Sequence, residues 1–192
     1  MRYPLDQKRQ TYERILNAAA GLFRKRGYEA TGLDAVMASV NLTAGAFYAH
    51  FRSKESLLAE ALDAAFRQSS SHRPRRLKDL RGREWVRQFT SFYLSRDHRD
   101  NPEQGCPMPA LAPEIARIGG PSRAVFERQL RGLFEKVGQE FDPAARHRHR
   151  PIAAVALCVG GLMLARAVDD PALSEQILSD CRAAFAEEGA IP

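Results

Sequence analysis

The stretch "NLTAGAFYAHF", Asn41 to Phe51, holds two tendencies that rarely share eleven residues. Gly45 weakens a core helix by its backbone entropy. A solvated loop, in turn, has no use for Phe47, Tyr48 and Phe51 at such density. A short helix that follows a tight turn, buries one face and lays the other on a partner accommodates both. Asn tolerates left-handed dihedrals better than any residue except glycine, so Asn41 is placed at the turn. Thr43 fits the N-cap of the short helix, expected over about Thr43 to His50, where its hydroxyl can satisfy an orphan N–H. Phe47 and Phe51 stand four apart and share a face toward a core. Ala44, Gly45 and Ala46 keep the opposite face small enough to approach base edges or phosphates. Tyr48 and His50 carry hydrogen-bonding tips suited to phosphate oxygens.

The flanks supply the rest of a helix-turn-helix. Upstream, "TYERILNAAAGLFRKRG" puts Ile15, Ala19, Leu22 and Phe23 on one helical face. Arg24, Lys25 and Arg26 fill its last turn, where positive charge suits the dipole, and Gly27 supplies a left-handed stop. "TGLDAVMASV" follows as the second helix; Thr31 and Asp34 have capping-box spacing, with Gly32 as the competing cap. Downstream, Ser53 caps "KESLLAEALDAAFRQ", with Leu57, Leu58, Ala61, Leu62 and Ala65 as its apolar stripe. In such a unit the second helix of the pair enters the major groove while the first crosses the backbone.

Charge agrees with a polyanionic partner. The chain has 192 residues and a net charge of +6. Residues 1–67 hold 10 Lys/Arg against 7 Asp/Glu, residues 68–100 hold 9 against 4, and residues 101–192 hold 10 against 12. The basic excess therefore lies in the first half, as nucleic-acid binding favours, though a solvated face produces the same count. At 44% hydrophobic and 27% charged the composition is globular. No apolar run reaches the roughly 18 residues of a membrane span, and "MRYPLDQKRQTYERIL" lacks a signal's apolar core. A cytoplasmic protein without membrane partner is expected. Cys106, Cys158 and Cys181 have no metal-ligand spacing, and a disulfide framework is not expected in that compartment.

Beyond the basic, proline-broken "SSSHRPRRLKDLRGR", helical periodicity resumes through "REWVRQFTSFYLSR", "CPMPALAPEIARI", "PSRAVFERQLRGLFEKVGQEF", "PIAAVALCVGGLMLARAV" and "DPALSEQILSDCRAAFAEE". The sum is an all-α chain of about nine helices and no convincing strand.

The segment from Arg14 to Leu62 resembles the DNA-binding domain of the tetracycline-repressor (TetR) family of bacterial transcription regulators. Phe23, Gly27-Tyr28, Thr31, Val36, the run from Leu42 to Phe51 and Ser53 to Leu57 carry the likeness. The resemblance implies a helix-turn-helix domain over residues 1–54, then a helical effector-binding and dimerisation domain over 55–192. It implies a homodimer on a palindromic double-stranded operator. Carried over residue by residue, Thr31 and Gly32 meet phosphate at the start of the second helix. Thr43, Ala44 and Gly45 approach bases or nearby phosphates, and Tyr48, His50 and Lys54 grip the backbone. Asn41 departs from the family's usual glycine. Ala44 and Ala46 stand where larger polar side chains are usual, so specificity leans on Thr43, thymine-methyl contacts and DNA shape. "GCPMPALAPEIAR" and "GGLMLARAVDDPALSEQIL" look like a proteobacterial branch with Gly-Cys at the start of the sixth helix, some of whose members respond to electrophiles or oxidants.

Trp85, Phe89, Phe92, Tyr93, Cys106, Met108, Phe126 and Met163 form the candidate lining for a small apolar or electrophilic effector, against the plainer reading of core. Cys106 stands just before Pro107 at a helix start, where the dipole favours a reactive thiolate; an inert buried cysteine is the competing reading. Leu157, Gly160, Gly161, Leu164, Leu173, Ile177 and Cys181 are the candidate dimer interface, since small residues allow close helix approach. His147 and His149 in "RHRHR" lack a third ligand nearby, so no metal is expected, and no cofactor. No phosphate loop, nucleophile elbow or metal motif supports an enzyme. The function expected is a ligand-responsive DNA-binding regulator, in keeping with family habit a repressor, released by a small molecule or thiol modification. The alternatives are an effector-independent architectural DNA-binding protein and a cysteine-dependent enzyme.

Overall fold

The structure, a computed structural model, describes residues 3–141 and 150–185. His147 and His149 lie outside them. Ten α-helices and one 3-10 turn account for the described residues, with no strand among them. No helix among them is long and apolar enough to cross a membrane. Contacts sort the chain into two compact units: residues up to Ser71 with Pro102–Glu127, and His72–Asn101 with the residues from Arg128 on.

In that unit α1 (Tyr3–Arg26) packs along α4 (Lys54–Ser71), with α2 (Leu33–Ser39) and α3 (Ala44–Phe47) beside them. Ile15, Ala19 and Phe23 of α1 and Leu57, Leu58, Leu62 and Ala65 of α4 are sealed from solvent, with Val36, Met37 and Phe47 from the short helices. Each large side chain so buried contributes about 1.5–3 kcal/mol. Polar cross-links fix the register of α1 on α4: Arg24 Nη1 donates to Ala65 O at 3.0 Å, Gln68 Nε2 donates to Asn17 Oδ1 at 2.7 Å, and Tyr12 Oη donates to the Glu60 carboxylate. Helix α1 starts eight residues before the expected Thr11, on a turn tied by Asp6 to Arg9 and Gln10. The unit is completed by α7 (Met108–Ile118), which tolerates Pro113 on its exposed side, and by the start of α8 (Gly120–Phe141).

The second unit holds a 3-10 turn (Arg75–Asp79), α5 (Gly82–Tyr93), α6 (Arg96–Asp100), the rest of α8, α9 (Arg150–Arg166) and α10 (Pro171–Ala183). The five-residue α6 is the helix that periodicity does not reveal; Ser95 caps it by accepting from His98 N at 3.1 Å. Guanidinium groups secure the carbonyls around it. Arg166 donates from Nε to Arg99 O at 3.0 Å and from Nη2 to His98 O, and Arg182 donates to Leu94 O. His98 is buried, its ring N–H at Nδ1 donating to Tyr93 O at 2.7 Å. Burial brings its pKa down to about 4 despite that bond.

Candidate DNA-contacting surface

The turn before α3 has the predicted cause. Asn41 takes φ 57°, and the reversal is closed by Asn41 N donating to Ala38 O at 3.0 Å and Leu42 N donating to Met37 O at 2.9 Å. This pairing of bonds around one left-handed residue satisfies carbonyls that α2 would otherwise leave bare. Thr43 is extended (φ −82°, ψ 153°) and is the N-cap of α3, but its hydroxyl makes no capping bond. The side chain is exposed, as are Ala44 and Gly45. A Cβ built on Gly45 would meet nothing within 4 Å, so the surface there is open to an incoming partner.

The buried face is aromatic. Phe47 and Phe51 stack with centroids 5.5 Å apart, and Tyr12 of α1 stacks on Phe51 at 4.9 Å. Tyr48 leans edge-on against Phe47 at 5.2 Å yet is 69% exposed, leaving its hydroxyl outward. His50 is half-buried, and its Nδ1 is buried without a hydrogen-bond partner. Ser53 and Ser56 bond reciprocally through backbone N–H and hydroxyl, both at 3.1 Å, and start α4.

At the other end of the motif one expectation needs correction. The capping box at Thr31 does not form: Gly32 is the N-cap of α2, and no side chain caps it. Thr31 is fully buried and its hydroxyl donates to Gly27 O at 2.6 Å. Its proton is thereby used inside the turn, and a phosphate at this place would meet the free N–H groups of α2 rather than that hydroxyl. Lys54 also has a prior engagement. Its amine lies 4.1 Å from the centroid of Tyr28, a cation–π arrangement, and 3.5 Å from Glu29 O. Arg52, between Phe51 and Ser53 in the link from α3 to α4, is exposed as well.

The candidate effector residues divide. Trp85 and Phe89 stack at 4.7 Å, Phe89 meets Tyr93 at 5.6 Å, and Phe92 stacks against His98 at 6.2 Å, one aromatic ladder in the second unit. Cys106, Met108 and Phe126 belong to the first, where Phe126 meets Phe66 edge-on at 6.1 Å. Met163 is 41% exposed and lines no interior; with Ile152 (50%), Leu164 (56%) and Leu173 (43%) it makes α9 and α10 apolar toward solvent. Cys106 is buried, and it and Glu103 act electrostatically on Arg24, whose guanidinium burial lowers to about pKa 10.

The candidate dimer residues divide as well. A Cβ on Gly161 would lie 2.6 Å from Cys181 Sγ and 3.4 Å from Leu94 Cδ2. Gly161 and Cys181 therefore form the α9–α10 crossing inside one chain. Gly160 has nothing within 4 Å of its Cβ position, and Leu164 and Leu173 are exposed; Leu157 and Ile177 are half-buried.

Comparison with known proteins agrees with this geometry. Residues 15–61 match the family described as bacterial regulatory proteins, tetR family. An uncharacterized HTH-type transcriptional regulator of Bacillus subtilis, YerO, is 33% identical over 96 residues, 46% of this chain and 32% of that protein. The biofilm operon icaADBC HTH-type negative transcriptional regulator IcaR of Staphylococcus aureus is 35% identical over 54 residues, 28% of this chain and 29% of its own length. The matched stretches thus span under a third of either relative. Solved structures cover far more. Reduced NemR of E. coli superposes with a TM-score of 0.74 at 20% identity over 95% of this chain and 98% of that one. A TetR-family regulator of Cytophaga hutchinsonii does so with 0.76 at 21% over 94% and 95%. The fold is TetR-like along nearly the whole chain, and the N-terminal helices carry a tetR-type helix-turn-helix.

Proposed function

We propose that the chain is a TetR-family transcription regulator, a repressor that binds a near-palindromic operator as a homodimer and lets go when an effector occupies, or a reagent modifies, its C-terminal region. The observation that carries this reading is the left-handed turn at Asn41, which leaves Thr43, Ala44, Gly45 and Tyr48 exposed while Phe47 and Phe51 are locked in the core. A face of that shape suits a major groove. Backbone grip falls to Tyr48, His50, Lys54 and the N–H groups at Gly32 and beyond; Thr43 and the alanines adjust base preference. The exposed Ile152, Met163, Leu164 and Leu173 supply apolar area for a second copy. Two copies would set their recognition helices about 34 Å apart on successive grooves.

Cys106 is the candidate for thiol-linked release, because it stands just before the start of α7 in the unit that carries the DNA-contacting helices. A mobility-shift panel tests the whole reading, using a duplex recovered from genomic fragments against random duplex. The regulator binds the recovered duplex at least about a thousandfold more tightly; equal binding refutes it in favour of an architectural protein. Treatment with N-ethylmaleimide should release the DNA from wild type and not from Cys106→Ser; release from both excludes the cysteine.

A further inference from the structure

Helix α1 ends at Arg26, and Gly27 follows at φ 83°. The next two N–H groups, of Tyr28 and Glu29, belong to neither helix. Both donate to one carboxylate, 86 and 85 residues further along: Tyr28 N to Glu114 Oε2 at 2.7 Å and Glu29 N to Glu114 Oε1 at 3.0 Å. Successive amides after a left-handed residue form a concavity that suits an anion, and here α7 supplies the anion from its own side chain. The fit is close. A Cβ on Gly27 would sit 3.1 and 3.3 Å from the two carboxylate oxygens, so glycine is required there for space as well as for dihedral.

Tyr28 passes the constraint onward. Its backbone is tied by Glu114 and its ring is braced edge-on by Phe23 at 5.5 Å and supports the Lys54 amine at 4.1 Å. Tyr28 O accepts from Thr31 N at 3.2 Å, one residue before the N-cap of α2. The corner after α7 touches the neighbouring residue of α4, since a Cβ on Gly120 would lie 2.6 Å from Glu55 Oε1. Helix α7 and its corner therefore hold the residues on either side of Lys54's footing.

We propose that Glu114 is a positioning residue for DNA binding: through Tyr28 it sets the start of α2 and the Lys54 amine at the places where they meet phosphates. The inference rests on the DNA-binding reading above. A charge-assisted, two-armed bond restrains this turn. Any movement of α7 along its axis is then felt at Gly32 and Lys54 without crossing the hydrophobic core.

The test uses the full chain, as wild type, Glu114→Ala, Glu114→Gln, Lys54→Ala and the Glu114→Ala/Lys54→Ala double variant. The probe is a short random-sequence duplex, which reads phosphate contact alone. In Glu114→Ala, amide hydrogen exchange should quicken about tenfold or more at Tyr28 and Glu29 and stay unchanged in the middle of α1 and α4. Glu114→Gln keeps one acceptor oxygen, so one of the two amides should stay protected. Binding should weaken about tenfold, with the slope of log K against log salt falling by about one per phosphate lost. A loss of folded protein alone would leave that slope intact. The double variant should bind scarcely worse than Glu114→Ala, since the two residues act in series. Unchanged exchange, an unchanged slope despite faster exchange, or additive losses would each overturn the proposal while leaving the DNA-binding reading standing. A wild-type chain that binds no duplex would remove that reading, and the proposal with it.

Discussion

Gly161→Ala distinguishes a crossing inside one chain from a contact between chains. Two effects oppose each other. Alanine in a helix interior is favoured over glycine by about 1 kcal/mol. Against that, the new methyl would lie 2.6 Å from Cys181 Sγ, 3.2 Å from Cys181 Cβ and 3.4 Å from Leu94 Cδ2. The sulfur can rotate away, but the Cβ contact remains unless α9 and α10 separate, and such overpacking costs about 1–3 kcal/mol. The clash should win by about 1 kcal/mol, lowering the melting temperature by about 2–4 °C. Cys181→Ala removes the sulfur at 2.6 Å and keeps the Cβ at 3.2 Å, so in the double variant the helix-propensity gain survives and the clash is relieved in part. Thermal unfolding of the four proteins, with sedimentation to follow the oligomer, reads the cycle. The double variant should melt above Gly161→Ala and keep the wild-type oligomeric state. Dissociation caused by Gly161→Ala with no rescue by Cys181→Ala would refute the intrachain crossing and return Gly161 to the dimer face.

Three further outcomes follow from the same contacts. Asn41→Ala should destabilise by about 1 kcal/mol, since alanine bears the full left-handed penalty, and Asn41→Gly should not; equal urea midpoints for Ala and Asn would contradict the turn's cause. His98 is held neutral by burial, with a folded pKa of about 4 against an ordinary 6.5. The unfolded chain therefore takes the proton first as pH falls, so this stability is complete above pH 6.5 and drains away between 6.5 and 4, up to about 3 kcal/mol. His98→Asn, which keeps a donor for Tyr93 O, should flatten that part of the pH profile; an identical profile would discount His98. Tyr48→Phe should weaken all duplexes alike, whereas Thr43→Val should change the ranking among sequences; the two should be told apart in one competition panel.

The parts of this molecule that were legible in the sequence have local causes. The Asn41 turn, the Gly27 stop, the Ser53 start and the Phe47–Phe51 face are each set by residues within a few positions. Helix α6 escaped because five residues are too few to show a period, and the first turns of α1 because they are held by Asp6 pairs rather than an apolar stripe. Gly160 and Gly161 look alike in sequence, yet one faces open space and the other Cys181; a small-residue stripe reports close approach without saying of what. Thr31 had the right spacing for a cap, but Gly27 O competes successfully for its hydroxyl. Glu114 was invisible for a different reason: an acidic residue on a helix looks solvated until the chain brings Tyr28 and Glu29 to it.

Selection from a random duplex library by the purified full chain tests the central claim most directly. The account predicts enrichment of one near-palindrome whose half-sites lie about one helical turn, or a multiple of it, apart, with enrichment abolished in Tyr48→Ala. Recovery of sequences no different from the starting library, from a folded dimer, would contradict it.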